Sequence, residues 1–203
     1  MTDWDERFAA GDYPREPEPS SVLCDYVPAI PDGRALDVAT GTGRNAVFLA
    51  EAGYEVDAVD ASIEGLEVTR ERAAERGVDD RLNAIRADVP TYGFPEGRYD
   101  LATISFYRAI DRFPDVVEAL VPGGYLFVEH HLRSADPTPS GPSGDRYRFA
   151  ANELLHAGLG LTVLYYDETT EERPGDRRRA TARLLARRSH GARQSYPPRP
   201  ERR

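Results

Sequence analysis

The chain has 203 residues, of which 40% are hydrophobic, enough for one domain with a sizeable core. All 26 basic residues are arginine, and 35 acidic residues leave a net charge of −9, so the surface repels polyanions such as nucleic acids. A single cysteine, Cys24, excludes an internal disulfide. Neither a membrane-length apolar run nor a signal sequence is visible, and we expect a cytoplasmic protein without nucleic-acid or membrane partners. The missing lysine fits either a high-salt cytoplasm or a coding bias toward arginine.

The amino-terminal residues 1–19 are predicted to form a segment outside the main domain. Trp4, Phe8 and Tyr13 recur at near-helical spacing and are followed by a stiff, charged, proline-rich connector. These rings could tie the segment to the core. Alternatively, Trp4 and Arg7 could fold over a bound ligand as a lid.

A strand, a glycine turn and a helix are predicted for the stretch ALDVATGTGRNA. Its apolar run, 35–39, carries one carboxylate, Asp37, and is followed by Gly41, Gly43 and a helical pattern over 45–52. Glycine tolerates positive φ and has no Cβ, so the backbone here can turn sharply and lie against a ligand. We therefore expect the floor of a nucleotide or nucleoside site.

Two ligands compete for this loop, a dinucleotide and S-adenosylmethionine (SAM). The spacing Gly41-x-Gly43-x-x-Ala46 satisfies the dinucleotide fingerprint in its alanine form. Asp37, however, lies in the strand four residues before the first glycine, where a carboxylate would repel phosphates and attract the ammonium group of SAM. A carboxylate that caps the turn by accepting its backbone amides is a third interpretation.

Two further strands end in a carboxylate. The strand predicted for 54–59 leads to Asp60, which could accept both ribose hydroxyls of SAM or of NAD. The strand predicted for 82–87 leads to Asp88 and Val89, an acceptor for the adenine amine beside an apolar wall for its ring. Each acid could instead be an ordinary turn residue, but three of them around one glycine loop favour a binding site.

The remaining elements continue the alternation of strands and helices. Ser62 is predicted to cap a helix that reaches Arg76, and Gly77 to end it. We also predict strands at 99–105, 161–166 and 181–187, and an apolar strand that follows a turn at Pro122-Gly123-Gly124 and ends at His131. Helices are predicted at 20–29 and 151–157, a charged hairpin loop between the last two strands, a flexible loop at 137–144 and a disordered tail at 189–203. The alternation predicts a doubly wound α/β domain over 20–188, with its ligands at the carboxyl ends of the strands.

At this point the residues resemble the class I SAM-dependent methyltransferases. The similarity rests on DVATGTG, on AVDAS at 58–62, on RADV at 86–89, on YDLATIS at 99–105, and on LVPGGYLFVEHH at 120–131. It implies a single Rossmann-like domain with a mostly parallel seven-stranded sheet and an antiparallel last strand. More narrowly, the chain is similar to the small tellurite-resistance and thiol (thiopurine-type) methyltransferases. The tellurite-resistance group uses basic residues to bind its oxyanion substrate, and these residues align loosely with 177–183 of this chain.

The resemblance implies SAM as the cofactor and suggests which positions bind it. The cofactor-binding candidates are Asp37, Ala39, Gly41, Gly43, Arg44, Asp60, Ala61, Asp88, Val89 and Ser105. No catalytic residue is assigned, because SAM arrives activated and the protein mainly aligns the reactants. The candidates for handling the acceptor are Tyr107, Arg108 and His131, with Arg146 and Arg148 as further arginines. His130 and His131 alternate faces on a strand, and two adjacent histidines make a poor metal site, so no metal is expected.

The sequence favours methyl transfer to a small molecule, with sulfur, selenium or tellurium as the expected acceptor atom. The Asn/Asp-Pro-Pro-aromatic tetrapeptide typical of enzymes that methylate nucleobase amines is absent after 99–105, which argues against base methylation. Methylation of pyrimidine carbon 5 needs a thiolate nucleophile, and the lack of a cysteine near the site argues against that reaction too. Two alternatives stay open, an NAD-dependent oxidoreductase and a catalytically silent SAM-binding module. The sequence does not reveal the acceptor or the oligomeric state.

Overall fold

A seven-stranded sheet forms the centre of the computed structural model, which describes residues 4–11, 13–14, 16–136, 141–173, 177–189, 191, 193–194 and 196–198. The strands are β1 Arg34–Val38, β2 Glu55–Asp60, β3 Leu82–Arg86, β4 Tyr99–Ser105, β5 Leu120–His131, β6 Thr162–Arg173 and β7 Arg177–Arg187. Their order is β3-β2-β1-β4-β5-β7-β6. Strands β1 to β5 pair in parallel, and β7 runs antiparallel to both of its neighbours, β5 and β6. The predicted α/β fold with an antiparallel last strand is confirmed.

Helices cover both faces of the sheet. They are α1 Trp4–Ala9, α2 Ser21–Tyr26, α3 Ala46–Glu51, α4 Ile63–Glu75, α5 Phe113–Ala119 and α6 Glu153–Gly158. Buried side chains of α2 and α3 pack with those of β1, β4, β5 and β7 on one face. Buried side chains of α5 and α6 pack on the other. The two apolar faces explain why the strands consist of short, nearly continuous hydrophobic runs.

The sequence places the first half of the chain accurately. Ser62 caps α4 by accepting a hydrogen bond from the Gly65 N–H at 3.1 Å, which satisfies one of the free amides of the first turn. Gly77 follows the helix with φ of +67°, a conformation that costs glycine little. The cap and the end of this helix were both predicted.

The carboxyl-terminal hairpin differs from the prediction. Strands β6 and β7 are longer than the predicted 161–166 and 181–187, and the predicted loop between them is mostly ladder. The charged residues that suggested a loop pair across the strands, as Arg183 does with Asp167 at 3.3 Å and Arg179 with Glu171 at 3.1 Å. Because these pairs compensate the charges, a polar stretch can stay extended.

Two helices also begin or end differently. The predicted helix 20–29 is α2 followed by a 3-10 turn, Val27–Ala29, which contains a proline. The predicted helix 151–157 begins later, at Glu153, because Asn152 adopts φ of +61°. Part of the predicted loop 137–144 and most of the predicted tail 189–203 lie outside the described residues. Within the described part of the chain, no helix is long and apolar enough to cross a membrane.

Candidate functional site

Asp37 lies at the centre of the site, beneath the bend that follows β1. Its side chain is buried, and its carboxylate accepts hydrogen bonds from the hydroxyls of Thr40 at 2.6 Å and of Thr103 at 2.5 Å. Burial raises the pKa of Asp37 to about 6, against the opposing effect of these hydroxyls and of the Ala46 N–H. The carboxylate therefore faces the glycine loop, as its position in the sequence predicted, and a neighbouring cation would favour its ionised form.

The glycine loop owes its shape to a run of left-handed residues. Ala39 has φ of +56°, Gly41 of +57° and Gly43 of +76°. A Cβ on Gly43 would lie 2.8 Å from the Thr69 methyl group, so the loop could not approach α4 as closely with any other residue there. The hydroxyl of Thr69 donates to the Gly41 carbonyl at 3.0 Å and fixes the loop from below.

Asp60 joins the loop to the start of α4. One carboxylate oxygen accepts the Gly41 N–H at 2.8 Å and the other accepts the Ser62 N–H at 2.8 Å. Burial raises the pKa of Asp60, while these backbone donors act in the opposite direction. Ala61, which lies between Asp60 and Ser62 in the sequence, is exposed.

Asp88 and Val89 occupy the next strand end as expected. The side chain of Asp88 is exposed, whereas that of Val89 is 3% exposed. Tyr107 is half-buried, and its pKa is raised by burial and by the negative charges of Asp88 and Asp60. The acceptor-handling candidate Tyr107 therefore lies beside the carboxylates expected to hold the nucleoside.

Ser105 and Arg44 connect the glycine loop to the other half of the crevice. The hydroxyl of Ser105 accepts a hydrogen bond from the Asn45 side chain at 2.8 Å. Arg44 donates to the Glu18 carbonyl at 2.6 Å and to the Glu129 carboxylate at 2.7 Å. Arg44 thus binds the amino-terminal connector and β5 together, a role that its place in the glycine motif did not suggest.

Helix α1 lies over the glycine loop. Phe8 packs so closely that a Cβ on Gly41 or Gly65 would lie 3.3 Å or 3.2 Å from its ring. Asp5 accepts the Ser62 hydroxyl at 2.5 Å. The rings of Trp4, Phe8 and Tyr13 stack on one another at 5.2 to 5.9 Å, and none of the α1 residues is buried. The three aromatic rings thus pack on one another and are absent from the two buried core clusters.

The sequence analysis missed a charged cluster beside the crevice. We define the ionic cluster by three arginines and three acids, joined in pairs: Arg44, Arg179, Arg183, Glu129, Asp167 and Glu171. Glu129 is 1% exposed and receives both Arg44 and Arg183. A single acid inside the apolar run LFVEHH was the available signal, the same kind of signal that identified Asp37.

The other acceptor-handling candidates separate in the structure. His131 is buried on the face of β5 that carries Glu129, beside the ring of Phe106 at 4.9 Å. Arg108 instead pairs with Glu153 of α6 and stacks on Phe149. His130 points to the opposite face from His131, as the strand period predicted.

His130 and the two further arginines serve local structure. His130 Nε2 lies 2.8 Å from the Tyr147 carbonyl, and burial lowers its pKa to about 4, so it is neutral near pH 7. Arg148 is buried and donates to the carbonyls of Leu132 and Pro142, each at 3.0 Å, whereas Arg146 lies exposed over the ring of Tyr147. Among the described residues, no group of three potential metal ligands occurs.

Comparison with known proteins identifies the domain. Residues 35–124 match a family described as methyltransferase domain. The structure is similar to TehB from Haemophilus influenzae, with a TM-score of 0.73 and 21% identity over 84% of this chain and 62% of that one. It is also similar to a SAM-dependent methyltransferase from Aquifex aeolicus, with a TM-score of 0.65 and 17% identity over 92% and 99% of the two chains. Residues 35–124 are thus similar to a methyltransferase domain and the fold is that of these solved structures, which agrees with the predicted class I SAM-dependent methyltransferase and with SAM as its cofactor.

Curated relatives point to a narrower group. A demethylmenaquinone methyltransferase of Thermus thermophilus is 36% identical over 131 residues, 60% of this chain and 56% of that protein. The ubiquinone/menaquinone biosynthesis C-methyltransferase UbiE of Azotobacter vinelandii is 33% identical over 128 residues, 58% and 49% of the two chains. The chain spans about half the length of these curated relatives. The match to a methyltransferase domain supports the methyltransferase over the NAD-dependent oxidoreductase.

Proposed function

We propose that this chain is an enzyme that transfers the methyl group of SAM to a small-molecule acceptor. The observation that carries the proposal is the arrangement of three carboxylates, Asp37, Asp60 and Asp88, around one glycine loop at the carboxyl edge of the sheet. This edge is where doubly wound sheets bind their ligands. The net charge of −9 supports a small acceptor rather than a nucleic acid.

The residues around the loop suit each part of SAM. Asp37 supplies a negative field beneath the bend, which favours the ammonium group of the methionine moiety. Asp60 would accept the ribose hydroxyls, and Asp88 with Val89 would hold the adenine. Ala39, Gly41, Gly43, Ala61 and Ser105 would contribute backbone and small side chains that let the ligand lie close. Bound SAM supplies a methyl group that is already activated on a positively charged sulfur.

The remaining task of the protein is alignment and exclusion of water. We propose that residues 1–19 act as a lid, because Phe8 covers the glycine loop and Asp5 holds the first turn of α4. The connector reaches the other side of the crevice, where the Glu18 carbonyl binds Arg44. One segment thus spans the cofactor half and the acceptor half.

A soft sulfur, selenium or tellurium nucleophile is the acceptor that we favour. The ionic cluster beside the crevice is charged, and its Glu129 and Arg183 are buried, which suits a small polar acceptor better than a long apolar chain. Both carboxylate oxygens of Glu129 on β5 already have partners, since one binds Arg44 and the other binds Arg183. A nucleophile that is already deprotonated needs no base. The second candidate is carbon methylation of a quinone, which the names of the curated relatives favour.

Two measurements test the proposal. Calorimetric titration should show binding of S-adenosylhomocysteine (SAH) and no binding of NADH, and the reverse result would overturn the assignment. Incubation with methyl-labelled SAM should then label an acceptor in a panel of thiols, selenite, tellurite and a short-chain demethylated naphthoquinol. Labelling of the naphthoquinol alone would select the quinone candidate, and SAH binding without any transfer would select the silent SAM-binding module.

A further inference from the structure

Phe106, the residue that follows β4, has an unusual backbone conformation. Its φ is +57°, in the left-handed region that bulky aromatic residues rarely adopt. The Phe106 N–H donates to the Glu129 carbonyl at 2.8 Å, which fixes this conformation next to β5. Outliers of this kind cluster at ligand sites, because the surrounding structure has to maintain them.

The ring of Phe106 separates the two halves of the crevice. The guanidinium groups of Arg44 and Arg179 each lie 5.2 Å from its centroid, and the ring of His131 lies 4.9 Å away. Arg44 belongs to the glycine loop and Arg179 to β7, so the ring stands between the expected cofactor and the hairpin. The ring therefore lies between a residue of the glycine loop and a residue of β7.

Two buried donors lie beside the ring without partners. Thr181 is 0% exposed, and its hydroxyl has no hydrogen-bond partner among the described residues. Nε of Arg179, two residues earlier on the same face of β7, is also buried and has no hydrogen-bond partner in the described part of the chain, while another nitrogen of this guanidinium binds Glu171 at 3.1 Å. Thr181 pairs across the sheet with His131, whose ring contacts Phe106. Buried donors are normally satisfied, so two unpaired ones at one place indicate a ligand that completes them.

We propose that Thr181 and Arg179 form a polar subsite for the methyl acceptor, and that Phe106 is the gate in front of it. The Thr181 hydroxyl and the Arg179 Nε–H would donate to an oxygen or another hydrogen-bond-accepting atom of the acceptor and orient its nucleophile toward the methyl group. These three residues then determine acceptor specificity. The inference rests on the methyl transfer proposed above and adds residues to that site.

Replacement of Thr181 by valine gives a two-sided test. Valine keeps the branched shape and removes a hydroxyl that the fold leaves unpaired, so Tm should stay equal or rise by about 2 °C. With the best acceptor of the panel, kcat/KM should fall about tenfold or more because KM rises, since the variant lacks a hydrogen-bond donor to the acceptor. The affinity for SAH should not change.

Thr69→Val is the matched control for stability. The Thr69 side chain is equally buried, but its hydroxyl bonds the carbonyls of Gly41 and Gly65, each at 3.0 Å, so Tm should fall. A comparable loss of Tm in Thr181→Val would show a structural hydrogen bond and overturn the subsite. An unchanged kcat/KM for Thr181→Val would overturn it too, while transfer by the unaltered chain would keep the proposed function intact. SAH binding with no transfer to any acceptor would refute the proposed function and, with it, the subsite.

Phe106→Ala tests the gate separately. Removal of the ring should raise the ratio of kcat/KM for 4-nitrothiophenol to that for selenite by about tenfold, because a bulky acceptor gains more from an open passage than a small one. An unchanged ratio would exclude Phe106 as a gate. Since the ratio compares two acceptors on one variant, a general loss of folded protein cancels.

Discussion

Replacing Asp37 by asparagine should make the protein more stable and its cofactor binding weaker. Thr40 and Thr103 donate to different oxygens of the Asp37 carboxylate. Asparagine keeps one of these oxygens as an acceptor, the other threonine hydroxyl can turn to accept from the new amide NH2, and the charge is removed. If the charge exists for the ammonium group of SAM, its benefit appears only when the ligand binds. Its cost is present at all times in the unliganded protein.

The cost follows from the pKa of Asp37. Burial raises this pKa from 3.8 to about 6, a difference that corresponds to about 3 kcal/mol. An acid with a higher pKa in the folded than in the unfolded state stabilises the fold at low pH, and this contribution is lost as the pH rises through about 6. Asp37→Asn should therefore exceed the unaltered protein by up to about 3 kcal/mol in unfolding free energy at pH 7. Below about pH 4 the two should be equal.

Ligand binding should change in the opposite direction. Only the ionised carboxylate attracts an ammonium group, so the affinity for SAH should rise as the pH increases through about 6. In Asp37→Asn the affinity should be flat over this range and about tenfold lower at pH 7, equivalent to about 1.4 kcal/mol. Titration calorimetry with SAH at several pH values measures both effects, and urea unfolding at the same pH values measures stability.

Asp57→Asn is the matched control for this experiment. Asp57 is also a buried carboxylate, 5% exposed, but it bonds the Tyr99 hydroxyl at 2.9 Å and the Asn83 amide at 3.1 Å rather than the glycine loop. Its replacement should leave SAH affinity and its pH profile unchanged. If Asp37→Asn retained the wild-type affinity and profile, the electrostatic argument for SAM would be refuted.

Three further predictions concern the parts around this carboxylate. Phe8→Ala should weaken SAH binding about fivefold by calorimetry, with little change in Tm because α1 buries no residue, and an unchanged affinity would remove the lid. Gly43→Ala should lower the free energy of unfolding in urea by about 2 kcal/mol or more, since φ of Gly43 is +76° and the new Cβ would lie 2.8 Å from Thr69. An unchanged free energy would contradict the close contact of the glycine loop with α4. Glu129→Gln should cost about 3 kcal/mol, because two mostly buried arginines lose their shared counter-charge, and a stable variant would show that the ionic cluster contributes little.

The sequence predicts the parallel part of the fold well, because its strands combine apolar runs with clear turn residues. Strands β1 to β4 begin and end within one residue of the predicted ranges, whereas β5 begins at Leu120, before the turn that was predicted at 122–124. The length of the β6–β7 hairpin is not predicted, because a run of charged residues is typical of a loop. In the structure these residues pair with partners on the opposite strand, which the sequence alone does not reveal. Local pattern reveals burial and periodicity, whereas cross-strand neutralisation depends on pairing.

The residues of the candidate site also fall into those that a local sequence pattern reveals and those that depend on strand pairing. Asp37, Asp60 and the glycines are local features of single strand ends, so a linear pattern suffices to find them. The unpaired hydroxyl of Thr181 and the left-handed Phe106 become visible only when β4, β5 and β7 lie side by side. Glu129 is intermediate, because its sequence signal was present but its two arginines come from distant segments.

The aromatic stack of α1 also provides an optical readout. Trp4 is the one tryptophan among the 203 residues, and it lies 38% exposed in the helix over the glycine loop. The Arg7 guanidinium is 5.0 Å from its ring, and Phe8 stacks against it. Intrinsic fluorescence excited at the indole band therefore reports on this helix, and a stopped-flow trace recorded on addition of SAH would show whether the helix moves as the proposed lid.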